Sequence, residues 1–116
     1  MINVSSSSRY KVNRKLIKTA AAEILAKNGL GDQYDVNFIF VGRNKMRQIA
    51  SQYKNEDLAL PVLSFAYKKD VNDGQRLLGE VFICYPQAVL LAAQRNKKVD
   101  EMINRLIEHG INNLLI

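Results

Sequence analysis

Pro61-Val62-Leu63-Ser64-Phe65-Ala66-Tyr67 and Leu78-Gly79-Glu80-Val81-Phe82-Ile83-Cys84 decide how this chain folds. Both runs are rich in β-branched and aromatic residues, the composition of a strand. Asp70-Val71-Asn72-Asp73-Gly74 between them reads as a turn. So short a connection implies that the second strand pairs antiparallel to the first. Proline has no N–H for a strand ladder, so Pro61 should open its strand.

Working outward, Val36 to Val41 is an earlier strand, and Phe38-Ile39-Phe40 makes it apolar enough to be buried on both faces. Ile2 to Ser6 is a short first strand. Between these two, Asn13 can cap a helix that runs to about Asn28 and stops at Gly29. Its inward face is Leu16, Ile17, Ala20, Ala21, Ile24 and Leu25. Asn44 to Tyr53 is a shorter helix, with Met46, Ile49, Ala50 and Tyr53 inward. After Cys84, Pro86 stands where a helix begins, and the segment to Asn96 follows. A last helix starts near Val99 and turns Val99, Met102, Ile103, Leu106 and Ile107 inward. The order is β-α-β-α-β-β-α-α, an α/β (α+β) layer structure with a mixed sheet and helices packed on it.

The 116 residues are enough for one domain with one core. No run of eighteen apolar residues occurs, so no membrane span is expected. The opening Met1-Ile2-Asn3-Val4-Ser5-Ser6-Ser7-Ser8 lacks the pattern of a secretory signal. Cys84 is the single cysteine, which excludes an internal disulfide and fits a reducing cytoplasm. Seventeen Lys plus Arg against eleven Asp plus Glu give a net charge of +6. The excess recurs along the chain, and such a surface favours polyanions, chiefly nucleic acid; the alternative is an ordinary solvated basic surface.

Few residues could carry chemistry. Cys84 lies in an apolar strand and is most simply a core thiol. No nucleophile elbow or phosphate-cradling glycine loop is present. Glu80 stands out inside a hydrophobic strand; its plain reading is the exposed face of an edge strand. The last helix carries the only histidine, His109, with Asn113 one turn later on the same face. That spacing presents two side chains to a metal, yet a catalytic zinc takes about three protein ligands. Read alone, a histidine such as His109 at the end of an apolar helix is more often structural or half-exposed than a ligand.

The motifs together resemble the YbeY family of rRNA maturation factors, metal-dependent single-strand endoribonucleases. That family's pattern ends His-Gly-x-Leu-His-Leu-x-Gly-x-Asp-His, and its three histidines bind zinc. His109-Gly110 matches the first pair and Leu114 the leucine after the second histidine, which itself falls on Asn113. The third falls six residues after Asn113, beyond Ile116. Val62-Leu63-Ser64-Phe65 matches Thr-Asp-Val-Leu-Ser-Phe-Pro without its first two residues, which are Leu60 and Pro61 here. Leu78-Gly79-Glu80-Val81-Phe82-Ile83 matches Leu-Gly-Asp-Ile-x-Ile. Ile49 to Asp57 follows Leu-Asn-x-x-Tyr-Arg-x-x-Asp; Tyr53 and Asp57 are kept, Ala50 replaces the asparagine and Lys54 the arginine. Order and spacing fit from Ile2 to Ile116, so the resemblance implies one YbeY-like domain over 1–116 with a four-stranded sheet, one strand antiparallel.

The resemblance further implies zinc as cofactor, with His109 as a ligand and Asn113 at a second ligand position. It implies a catalytic role for Lys54 and a basic groove beside the metal, for which Arg43, Arg47, Lys54 and Arg76 are the candidate RNA contacts. Partners would be RNA, ribosomal above all, and ribosomal or ribosome-assembly proteins. Because two ligand positions are missing from this sequence, cutting is expected to be weak or absent. A non-catalytic RNA- or ribosome-binding protein on the same scaffold is the alternative, and an unrecognised hydrolase a third.

Overall fold

A computed structural model of the chain describes residues 1–31, 33–67 and 76–116, the Arg76 side chain excepted. Eight elements form in the expected order: β1 (Ile2–Ser5), α1 (Arg14–Lys27), β2 (Tyr34–Val41), α2 (Arg43–Lys54), β3 (Val62–Ala66), β4 (Arg76–Cys84), α3 (Tyr85–Gln94) and α4 (Val99–Leu114). The turn expected at Asp70 to Gly74 lies outside the described residues. Among the described residues no helix is long and apolar enough to cross a membrane.

The helix punctuation acts as the sequence suggests. The Asn13 side chain accepts from the Leu16 N–H at 3.0 Å, satisfying a donor that the first turn would leave open. At the other end Gly29 adopts φ 76, a left-handed value that suits glycine. The Leu30 N–H then reaches the Leu25 carbonyl at 2.9 Å and the Gly29 N–H reaches Ala26 at 3.0 Å, closing the last turn of α1.

The sheet order is β1-β2-β4-β3. The first three strands run parallel, and β3 runs antiparallel to β4 with Val62 opposite Ile83 and Phe65 opposite Glu80. The expectation for Glu80 is corrected here: β4 is an inner strand, and the antiparallel β3 is the edge. Glu80 is half-buried and not on an open edge.

Strand alternation assigns the two faces. Val36, Phe38, Phe40, Val81 and Ile83 point to one face and meet Ile17, Ala21 and Leu25 of α1 and Ile103, Ile107 and Ile111 of α4. Leu63, Phe65, Phe82 and Cys84 point to the other, where Met46 and Ile49 of α2 cover them. β2 is therefore fully buried on one face only: Asn37, Ile39 and Val41 are half-buried, because α2 covers less of its side of the sheet. Two inward assignments also shift. Leu16 sits at the margin of α1 and is exposed, and Tyr53 at the end of α2 is 63% exposed.

Candidate functional site

The helix that carries His109 is seated by two glycines. A Cβ on Gly110 would fall 2.5 Å from Val81 Cγ1, so only glycine lets α4 come this close to β4. Ser64 of β3 donates its hydroxyl to the Gly110 carbonyl at 2.9 Å, fixing the same turn to the edge strand. On the sheet, Gly79 makes the reciprocal space: a Cβ there would lie 2.5 Å from Leu114 Cδ2 and 2.4 Å from the Phe65 carbonyl oxygen. Thus Gly79, Gly110, Leu114 and Ser64 lock the C-terminal half of α4 to the β3–β4 pair.

His109 and Asn113 flank that buried stripe and are exposed, one turn apart. Among the described residues neither side chain makes a hydrogen bond or an ion pair. Nor do the described residues bring any group of three His, Cys, Asp or Glu side chains together around a possible metal position. Among the described residues the donors on this helix face are one imidazole and one amide oxygen, where a catalytic zinc takes about three protein ligands.

On α2, Arg43, Arg47 and Lys54 are spaced so that they fall within about 40° of one another around the helix axis. All three are exposed. Arg47 pairs with Asp57 at 3.4 Å, an exposed pair that leaves the arginine free to exchange partners. The row therefore presents three cations along one flank of α2. Arg76 opens β4, and its side chain lies outside the described residues. The α2 row and the His109–Asn113 pair belong to helices on opposite faces of the sheet, with the edge strand β3 between them.

The other flank of α2 borders a cleft of about 580 Å³ against β3 and β4. Lys45 and Gln52 line it from the helix, and Phe65, Tyr67, Glu80 and Phe82 from the sheet. Tyr53 packs edge-on against Phe65, ring centroids 5.1 Å apart, and Phe65 packs edge-on against Phe82 at 5.7 Å. Tyr67 donates its hydroxyl to Glu80 Oε1 at 2.7 Å. That bond, aided by partial burial and the carboxylate's charge, pushes the Tyr67 phenol above its ordinary value. Glu80 stands out in the sequence, whereas the cleft around it does not. Its signal was available as period-two spacing: positions 65 and 67 on one strand and 80 and 82 on its partner share a face.

Cys84 ends β4 fully buried. Burial pushes its thiol up, against smaller opposing effects of the Gln87 backbone N–H and the Arg43 charge. A thiol held protonated is a poor nucleophile, in keeping with a core residue.

Comparison with known proteins gives these features a lineage. A Thermodesulfovibrio yellowstonii protein named Endoribonuclease YbeY is 34% identical over 80 residues, covering 69% of this chain and 50% of the relative. An Anaeromyxobacter protein of the same name is 30% identical over 111 residues, covering 96% of this chain and 57% of the relative. The chain thus spans little more than half the length of these curated relatives. A solution structure from Thermotoga maritima superposes with a TM-score of 0.65 at 25% identity, covering 98% of this chain and 71% of that one. The family model for Endoribonuclease YbeY matches residues 2–115, from the first strand through the seated turn of α4, and the chain belongs to that family.

Proposed function

We propose that this domain acts on single-stranded RNA, holding the phosphate backbone along the α2 row, and that with the metal donors described above its endonucleolytic activity is weak or absent. The observation that carries the reading is the alignment of Arg43, Arg47 and Lys54 on one exposed helix flank. Cations in a row can track a backbone without reading bases. Lys54 contributes a point charge where the family pattern has the bidentate fork of arginine, so it holds a phosphate less tightly in orientation. In the family, zinc would polarise a phosphoryl oxygen and activate a bound water. His109 and Asn113 are the residues here that would face such an ion. Binding without cutting is favoured by Asn113 itself, whose amide oxygen is a weaker zinc donor than imidazole. Ribosomal RNA, with ribosome-assembly proteins, is the partner class that the family resemblance supports.

The test is binding of labelled single-stranded RNA across a salt series. Three phosphate contacts predict a log–log slope of about −2, from roughly −0.7 per contact on single strands. Each of R43Q, R47Q and K54Q should reduce the slope by about 0.7. A salt-independent affinity, or a slope untouched by all three variants, would refute the assignment. The catalytic half is tested by metal content and by cutting with and without chelator. Stoichiometric zinc, with chelator-sensitive cutting that disappears in His109→Ala, would show the site to be competent and the weak-activity reading wrong.

A further inference from the structure

We propose that the cleft between α2 and the β3–β4 pair is a nucleobase-stacking subsite that prefers a base with an exocyclic amine, cytosine above uracil. The proposal rests on the RNA reading above and assigns a second contact to the same strand of RNA.

The cleft has the size and the surfaces for one base. Its volume of about 580 Å³ falls among small-ligand sites, roughly 300–1,000 Å³. Tyr53 and Tyr67 line it while remaining 63% and 45% exposed. A base can stack on either ring. The Tyr53–Phe65 and Phe65–Phe82 pairs meet edge-on, at 74° and 87° between planes, so neither pair uses up two ring faces in a parallel stack.

The polar groups add selectivity. Glu80 is half-buried in the cleft wall, and the Tyr67 hydroxyl holds one of its oxygens at 2.7 Å. Among the described residues it has no cation partner, and its other oxygen accepts no hydrogen bond. An oriented carboxylate accepts and cannot donate. It therefore suits the N4 amine of cytosine and repels the O4 carbonyl of uracil. Lys45, exposed at the same cleft, can take the phosphate attached to that base. The Arg43–Arg47–Lys54 row and this cleft occupy opposite flanks of one helix, separated by its width of about 10–12 Å. A single strand crossing α2 can reach both, whereas a duplex cannot unstack a base into the cleft without breaking pairs.

The test compares ten-nucleotide oligocytidine and oligouridine by fluorescence anisotropy, using the full chain in chelator so that no cutting intervenes. Oligocytidine should bind at least about fivefold tighter, the low end for one base-edge contact. Glu80→Gln keeps an acceptor for Tyr67 but adds a donor, and should bring the two affinities together. Tyr53→Ala should weaken both oligomers by about fivefold or more through loss of stacking. A urea melt of Tyr53→Ala separates the two causes: a chain still fully folded under the assay conditions attributes the loss to stacking, and one that is unfolded there overturns it. Equal binding of the two oligomers by the parent, or a cytosine preference that survives Glu80→Gln, overturns the subsite. If that happens while R43Q and K54Q still weaken binding, the phosphate row stands and the subsite alone fails. If neither oligomer binds at low salt, both fall.

Discussion

Replacing Gly110 by alanine tests the seat of α4 on the sheet. The added Cβ would stand 2.5 Å from Val81 Cγ1 and 3.4 Å from both Ser64 Oγ and Val62 Cγ2. Val81 is fully buried, so it has no open side to move into. Overpacking of this kind costs about 1–3 kcal/mol. Shifting the helix outward to relieve it stretches the 2.9 Å Ser64–Gly110 bond, worth about 1 kcal/mol. Against this, alanine is better than glycine inside a helix by about 1 kcal/mol. The net expectation is a loss of about 2 kcal/mol, or a fall in Tm of roughly 6–10 °C for a chain of this size. Urea unfolding of G110A measures it.

The decisive control is a double-mutant cycle. Val81→Ala removes Cγ1 and opens room for the new methyl group, at its own cavity cost of about 2 kcal/mol. G110A in the V81A background should then cost at least about 1 kcal/mol less than in the parent. If G110A matches or exceeds the parent in stability, or if the two changes simply add, the close approach of α4 to β4 is not what glycine is there to permit.

Three further outcomes follow from the same geometry. Gly79→Ala should cost more than Gly110→Ala, because its Cβ would meet the Phe65 carbonyl oxygen at 2.4 Å, a backbone atom that cannot rotate away; adding Leu114→Ala should not rescue it, and full rescue in urea melts would contradict this. The buried Cys84 thiol, with its pKa raised by burial, should react with a thiol reagent only as fast as the protein opens; rapid labelling of the native state would show it to be accessible. Tyr67→Phe should remove a phenol that ionises above the ordinary tyrosine value in an alkaline absorbance titration, since the Glu80 bond raises the Tyr67 value. A raised folded value means stability present below the unfolded value, about 10, and lost as pH rises through the folded one. The stability gap between the parent and Y67F should therefore narrow in that alkaline range, and a gap that widens would reverse the sign.

Most of the fold was legible because its signals are local. Asn13, Gly29 and Pro86 punctuate helices by their own backbone chemistry, and each acts where its residue type suggests. The β3–β4 pairing followed from a short connection between two apolar runs. What failed was information about neighbours. Glu80 looked like an edge residue because sequence alone does not show that β4 enters the sheet between β2 and β3. Tyr53 looks inward by helical spacing and its ring does meet Phe65, yet at the last turn of α2 most of it stays open to solvent. The aromatic cleft needs three elements to converge, so no single stretch announces it. The α2 row, by contrast, was readable residue by residue, although its position across the sheet from His109 was not.

The residues that match the family pattern differ physically from those that depart from it. Gly79, Gly110, Leu114 and Ser64 seat α4, Tyr53 packs on Phe65, and Asp57 pairs with Arg47. Each of the first five has a packed partner whose loss would cost the fold, whereas the exposed Asp57–Arg47 pair adds little. Asn113 and Lys54 are exposed with no partner among the described residues, so changing them costs the fold little. Ala50, the other departure on α2, is fully buried, where an asparagine amide would need hydrogen bonds that an alanine does not. Stability and site chemistry are thus separable in this domain. The separation predicts that Asn113→His will leave stability in metal-free buffer within about 0.5 kcal/mol of the parent, as exposed substitutions generally do. It will also complete an i, i+4 pair of imidazoles with His109 on one exposed helix face. Zinc at ten times its Kd should then stabilise N113H by about 1.4 kcal/mol, and His109→Ala should abolish that gain. If zinc raises the Tm of the parent equally, Asn113 is already an adequate ligand. If N113H gains nothing, the two side chains do not converge on one ion.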